Sequence, residues 1–450
     1  MLNSVMLSFI LLVFSVVLLI LLTAKWHLHP FLALLFVALS FGLASGMNTD
    51  TIIKSVNEGF GNTLGKIGIV IALGVIIGAF LEYSGGAYKL AEIVLNLIGK
   101  KRVHEAMGIA GFIVSIPVFA DSGFIILSPL NKSLSKKAGL SIVGTAVALI
   151  LGLMISHVLI PPTPGPIAAA GIIGADVGLV MLTGLIIGSF SLVVAIIYSK
   201  MYAAKTYIDP NPELSEEVIQ EKIRNAPGAF KSFLPIITPI ILIIGKSVVE
   251  LAFAGEHRDD WWFKLIDFMG TPVIALLTGM FFVFLIPKKL DKEILSTTGW
   301  VGKAINDAST IIIISGAGGI FGAILQNSGI ATTMANGLSE ANIGIWLPFL
   351  LCAAIKTAQG SSTVALITTA SIIAPMLPGM GFETAIDKAL IVMAIGAGAM
   401  SVSHANDSGF WITTQFSGID VKTGYRTYTL GTLVVGVSTA VFVYIATLIV

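Results

Sequence analysis

Nine apolar stretches, each long enough to cross a bilayer as a helix, recur along the 450 residues: 4–24, 28–46, 65–85, 140–160, 177–198, 232–254, 266–287, 304–327 and 424–450. A crossing takes about 20 apolar residues, so these segments and their short connections leave no room for a large aqueous domain. The chain is 56% apolar and only 11% charged, against about 25% charged in a typical soluble domain. A soluble enzyme is excluded, and an all-α polytopic membrane protein in a lipid bilayer follows. The net charge of +1 offers no footprint for nucleic acid. The single cysteine, Cys352, sits in an apolar segment and supports neither a disulfide framework nor a thiolate metal site. Stretch 4–24 has no basic residue before it, unlike a secretory signal, and is expected to stay as a helix.

Three further stretches, 103–131, 342–378 and 385–417, are apolar but interrupted by Gly, Pro and polar residues. One long polar segment, 201–231, reads as a solvated connector between halves of similar length. Gly78–Ala87 and Gly322–Ala331 share the pattern GAxLxxSGxA at a constant offset. A polar break follows in each half (Ala120-Asp121-Ser122-Gly123 and Gly360-Ser361-Ser362-Thr363), then a helix reaching Ser-His (Ser156-His157 and Ser403-His404). The expected organisation is therefore a repeat over 1–200, with hairpin 103–131 and broken helix 140–175; a cytoplasmic linker over 201–231; and a second repeat over 232–450, with hairpin 342–378 and broken helix 385–417.

Short cytoplasmic loops are enriched in Lys and Arg. With 201–231 inside, most of the 26 basic residues fall on one face, and Lys54, Lys66, Arg258 and Lys264 fall on the other. That distribution requires 103–131 to enter and leave from the cytoplasm and 342–378 from outside. The halves are then inverted, and both termini face the periplasm. Inverted repeats with discontinuous helices characterise secondary transporters, whose sites lie where the breaks meet near the midplane, because irregular backbone is tolerated there only in a cavity or buried in protein.

The first break, SIPVFADSGFIILSP, has Pro117 and Gly123 interrupting the helix and Asp121-Ser122 at the turn. A carboxylate at mid-membrane costs about 2.5–3.5 kcal/mol on insertion scales. Asp121 either caps the second arm or serves substrate or proton. In the second break, KTAQGSSTVALITTASIIAP, residues Gln359, Gly360, Ser361, Ser362 and Thr363 precede or open a half-helix, whose free N–H groups form an anion site. Packing of Ser and Thr between helices is the plainer alternative. The helix containing ISHVLIPPTPGPIAAAG is expected to unwind around Thr163 and Gly165, and SVSHANDSGFW gathers His404, Asn406, Asp407 and Ser408. The substrate candidates are Asp121, Ser122, Gly123, His157, Thr163, Gly165, Gln359 to Thr363, and Asn406 to Ser408. The proton-carrier candidates are Asp121, His157, His404 and Asp407, since imidazole titrates near neutrality and a desolvated carboxyl can be raised toward it. Lys356, one turn before the second break, either charges the anion cradle or snorkels to an interface. Lys246 and Glu250 are spaced to neutralise each other. All four arginines lie in loops, so no guanidinium fork awaits a carboxylate in the membrane, which disfavours a di- or trianion.

The strings SIPVFADSGFIIL, SHVLIPPTPGPIAAA, KTAQGSSTVALITTASIIAP and SHANDSGFW resemble those of the gluconate permease family, the gluconate:H+ symporters of the wider ion-transporter superfamily, and the resemblance covers essentially the whole chain. It implies uptake of gluconate or a related small hydroxylated monocarboxylate across the bacterial inner membrane. The proton motive force drives it, with no cofactor. It also implies a homodimer in which a domain holding both hairpins slides against a scaffold, an elevator motion. Similar proteins take ketogluconate, fructuronate, other hydroxy acids or D-serine. Sodium coupling through hairpin carbonyls and hydroxyls is the alternative within the fold; a channel or a membrane enzyme is the alternative outside it. No HExxH pattern and no nucleotide-binding loop supports the enzyme.

Overall fold

The computed structural model describes residues 2–99, 102–211, 216–253, 258–287, 289–329 and 343–450; the side chains of 2–9 and 216 are not described. Lys100, Lys101, Lys288, residue 342 at the start of the second predicted hairpin, and the Ile330-Ala331 end of the repeated motif lie outside the described residues. The described residues are helical, with no strand among them. Among the described residues, six helices are long and apolar enough to cross a bilayer, and a bent pair taken as one span makes a seventh. That pair, Trp261–Gly270 and Pro272–Val283, meets at 69°, where 266–287 was expected to be continuous. Pro272 at the first helical position removes the N–H that would continue the preceding helix.

Element order repeats between the halves. Each has a long helix, a pair of short helices, an interrupted helix and a closing helix. The long helices are Thr49–Tyr83 and Trp300–Asn327. The first begins sixteen residues before the apolar stretch that announced it, because its N-terminal half carries polar residues on an open face. At 35 residues it is about 52 Å long, well beyond the hydrocarbon core. The two long helices pack on each other, and each receives a short helix from the other half: Pro30–Ala44 lies on Trp300–Asn327, and Pro272–Val283 lies on Thr49–Tyr83. Edge-on aromatic pairs mark these contacts, Phe41 with Phe321 at 6.1 Å and Phe80 with Phe284 at 5.7 Å.

Hairpin 1 is Val103–Val114 and Ala120–Ala138; hairpin 2 is Trp346–Gln359 and Ser362–Ile373. Three of these arms have 12 to 14 residues, about 18–21 Å, too short to span. The interrupted helices are Ile142–Leu159 with Pro164–Ile173, and Ala385–Met400 with Ser408–Ser417. Packing between halves is reciprocal: Ser362–Ile373 lies on Pro164–Ile173, and Ser408–Ser417 on Ala120–Ala138. Thus the second arm of each hairpin rests on the second piece of the other half's interrupted helix.

The 201–231 connector is less solvated than expected. Its helix Glu216–Asn225 buries Ile219 and Ile223 and holds the Lys222 ammonium 5.7 Å from the Tyr88 ring centre. Asp209 of the same connector binds Lys136 at the end of hairpin 1 at 2.6 Å, and this hydrogen-bonded ammonium holds the Asp209 carboxyl below the usual carboxylate range. Lys246 has a closer partner than Glu250: its Nζ is 2.7 Å from Asp267 and 3.8 Å from Glu250.

Candidate functional site

Both hairpin turns open onto one cavity of about 700 Å3. Hairpin 1 contributes Phe119 to Ser122, hairpin 2 contributes Gln359 to Thr363, and the second interrupted helix contributes Asn406 to Ser408. Met154 and His157, one helical turn apart on the first interrupted helix, and Asn306, Asp307, Thr310 and Ile311 of the long helix Trp300–Asn327 complete the wall.

Hairpin 1 turns over residues 115–119, where Pro117 ends the helix and the Ser115 hydroxyl donates to the Val118 carbonyl at 2.9 Å. Gly123 does not interrupt the second arm. It lies in that arm's first helical turn, pressed against Leu153. Phe119 is the N-cap and no side chain caps the helix, so Asp121 is not the capping residue. Its Oδ2 instead accepts a hydrogen bond from the Ser408 hydroxyl at 2.6 Å, joining hairpin 1 to the second interrupted helix.

Hairpin 2 turns at Gly360, whose φ is +90°, a conformation that glycine alone adopts freely. A Cβ there would also collide with the Asn406 carbonyl oxygen. Ser361 caps Ser362–Ile373 by accepting the Val364 N–H at 3.3 Å, and the Gln359 side-chain amide donates to the Ser361 carbonyl at 2.8 Å. The positive end of that short helix faces the cavity.

Lys356 neither snorkels nor stands free in the cradle. It is fully buried, with Nζ 2.7 Å from Asp407 Oδ2 and a second hydrogen bond to the Gly360 carbonyl. Asp407 Oδ1 accepts the Gly409 N–H at 3.1 Å, capping Ser408–Ser417. The break before it holds Val402 at φ +53°, a costly conformation for a β-branched residue.

The two histidines are not equivalent. His157 lies within the last helical turn before the first break and lines the cavity, its Nδ1 buried without a partner in the protein. His404 lies inside the second break and away from the cavity wall. Its Nε2 is 2.8 Å from the Thr357 carbonyl, which also accepts from Asn406 Nδ2 at 2.8 Å. Thr163 and Gly165 also stand off the cavity. The Thr163 hydroxyl donates to the Ile160 carbonyl, and Gly165 abuts Leu366 and Thr363 of hairpin 2. Unwinding is confined to residues 160–163, with Pro164 opening the next helix. Asn306, Asp307, Thr310, Met154 and Phe119 were not expected. The polar pair Asn306 and Thr310, four apart inside an apolar stretch, was the signal available for the long helix.

A second cavity of about 330 Å3 lies at the opposite ends of the long helices, lined by Glu58, Asn62, Thr63, Lys66, Gln326 and Asn327 among others. The spacing that superimposes Gly78 on Gly322 also superimposes Asn62, Thr63 and Lys66 on Asn306, Asp307 and Thr310. The same stretch of each long helix therefore lines one cavity.

Short hairpins and interrupted helices around a polar cavity, within a set of membrane-length helices, define a polytopic membrane transporter. The chain belongs to the GntP family of permeases, whose pattern it matches over residues 7–449. It is 35% identical to the gluconate permease of Pseudomonas aeruginosa over 96% of this chain and 95% of that one. It is 31% identical to the D-serine transporter DsdX of Escherichia coli, over 95% of each chain. The crystal structure of the YdaH transporter of Alcanivorax borkumensis shares the fold, with a TM-score of 0.64 over 93% of this chain and 98% of that one at 13% identity.

Proposed function

We propose that this permease is a symporter that uses the proton motive force to carry gluconate, or a related small hydroxylated monocarboxylate, across the bacterial inner membrane. The observation that carries the reading is the shared cavity, where the N-terminus of Ser362–Ile373 and its hydroxyls face Asp121, Asp307 and Asn306. The helix end suits one carboxylate, and the amide, hydroxyl and carboxylate groups suit the hydroxyls of a sugar acid. A relative named gluconate permease at 35% identity supports the substrate class.

Proton coupling has a physical reason here. The lysine of the site is already committed to Asp407, so an incoming carboxylate joins a cavity whose other carboxyl groups are Asp121 and Asp307. Like charges at 4 Å repel by about 4 kcal/mol at an effective dielectric of 20. Binding a proton with the substrate removes that repulsion. D-serine is the second substrate reading, favoured by the relative DsdX and by carboxylates that would accept an ammonium group.

The motion we attach to this function is an elevator, with both hairpins and both interrupted helices sliding along the long helices within a homodimer. The two halves act as inverted repeats, with 201–231 cytoplasmic and both termini periplasmic. Repeat-related contacts support the slide. A Cβ on Gly78 would collide with the Pro117 carbonyl at the turn of hairpin 1, whereas the matching Gly322 lies nearest Ser371 of hairpin 2. Ser371 is some ten residues beyond the turn, roughly 15 Å along a helix. Exchanging the roles of the repeats brings the turn of hairpin 2 to Gly322, a displacement of about the same length. A thermal-stability screen against aldonates, uronates, small hydroxy acids and D-serine tests the substrate class, because a ligand of the native state raises the melting temperature by mass action. Stabilisation by gluconate or a close sugar acid is expected; stabilisation by D-serine alone would replace the substrate assignment.

A further inference from the structure

Tyr428 is 1% exposed, yet its hydroxyl completes no hydrogen bond of good geometry in the protein, and the neighbouring Ser403 hydroxyl is likewise unsatisfied. A buried hydroxyl left unpaired is costly, so its surroundings are informative. The hydroxyl points to the face of Gly409 from which a Cβ would project: the three atoms nearest that position are Tyr428 Oη at 2.9 Å, Asp407 Oδ1 at 3.6 Å and Asp121 Oδ1 at 3.7 Å. They come from three elements, namely the turn Tyr425–Thr429 before the last helix, the break of the second interrupted helix, and hairpin 1. Asp407 Oδ2 is engaged by Lys356 and Asp121 Oδ2 by Ser408, while Asp407 Oδ1 accepts the Gly409 N–H and keeps a further acceptor position. Two carboxylate oxygens and a phenol therefore converge on one point beside Gly409, where a side chain would crowd them.

We propose that this cluster of oxygens is the binding site of the coupled proton, held by Asp121 and Asp407 as one pair, with Tyr428 as its positioning residue. The proposal rests on the symport reading and assigns it a specific place. Asp121 lines the cavity and meets water there; a hydronium ion transfers its proton to Asp121 Oδ1, leaving water and a neutral carboxyl. That O–H, directly or through one water, then hydrogen-bonds Asp407 Oδ1. The phenol keeps its own proton throughout; unpaired here, it stands ready to donate to the oxygen that is ionised once the pair takes up its proton. The Oδ1 atoms of Asp121 and Asp407 lie 3.7 and 3.6 Å from the same point, and carboxylates gathered on one spot favour holding one proton between them over two full charges. A bridging water would find the two to four polar partners it needs. The charged and titratable groups around the pair are Lys356 from hairpin 2, His157 from the first interrupted helix and Asp307 from the long helix. His404 and Tyr425 lie beyond, with Tyr425 against the Phe410 ring. Gly409 matters because a methyl group there would displace the hydroxyl.

The test compares wild type, Tyr428→Phe and Gly409→Ala in proteoliposomes, with melting temperatures confirming that each is folded. Exchange of labelled gluconate without a pH gradient is measured beside accumulation driven by an imposed gradient. Proton uptake on gluconate binding is followed in weakly buffered detergent. Both variants are expected to lower the ratio of accumulation to exchange by tenfold or more, and to move the pH of half-maximal uptake by a unit or more. Tyr428→Phe should also take up fewer protons per gluconate bound. If wild type accumulates gluconate and both variants keep its ratio, pH midpoint and proton uptake, symport stands and this site is wrong. If wild type exchanges gluconate but never accumulates it under a pH gradient, the symport reading fails and the site fails with it.

Discussion

Lys356 and Asp407 form a buried ion pair across two elements, with the ammonium of hairpin 2 at 2.7 Å from the carboxylate at the break of the second interrupted helix. The same ammonium holds the Gly360 carbonyl, so the pair joins the turn of hairpin 2 to the segment that carries Ser408 and, through it, Asp121. Removing one partner strands a buried charge, which typically costs 3–5 kcal/mol. Lys356→Met and Asp407→Asn are each expected to lower the melting temperature in detergent sharply, and the double variant to recover part of the loss. A double variant no more stable than the sum of the two single changes would contradict the coupling.

Gly360→Ala should be among the most damaging small substitutions in the chain. It places a Cβ at φ +90° and against the Asn406 carbonyl; the strain alone is about 1–2 kcal/mol. Relief requires the turn to move away from Asn406, which widens the cavity. Exchange should fall at least tenfold, with a smaller effect on stability. Near wild-type exchange would show that the turn tolerates another geometry.

The histidines separate by position. His157 faces the cavity with an unpaired ring nitrogen, whereas His404 holds the Thr357 carbonyl. His157→Ala removes a polar group from the cavity wall and should sharply lower transport, exchange and gradient-driven accumulation alike. His404→Gln, whose amide can still donate to that carbonyl, should retain most of it. The reverse pattern in an uptake assay would exchange their roles.

Much of this arrangement is legible in the sequence, because membrane-depth polarity is expensive. Asp121, Gly360 and Asp407 stand out in apolar surroundings, and all three come to one place. Other features depend on tertiary packing. Thr163 and Gly165 read as site residues since prolines surround them, yet their roles are a local hydrogen bond and a close approach to hairpin 2. Asn306 and Asp307 were hidden in a helix that reads as an ordinary span, as which face of a long helix borders a cavity is set by its neighbours. The partner of Lys356 is 51 residues away, a relation no local pattern encodes.

The repeat-related cavities predict a contact absent here. Asn306 shares a wall with the turn of hairpin 2; in the opposite state Asn62, its counterpart, should meet the turn of hairpin 1. An Asn62→Cys/Ser122→Cys pair should cross-link during turnover, with Cys352 too deeply buried to compete. Failure to cross-link in membranes that support exchange would exclude a slide of this length.

Gradient-driven uptake distinguishes proton-coupled transport of a sugar acid through the cavity between the hairpins from every other mode. Purified protein in sodium-free proteoliposomes, given an inward pH gradient, should accumulate labelled gluconate above its external concentration, lose that accumulation when a protonophore is added, and fail to accumulate as Asp121→Asn. Uptake that needs sodium, or that stops at equal concentrations on the two sides despite the gradient, would rule out proton symport.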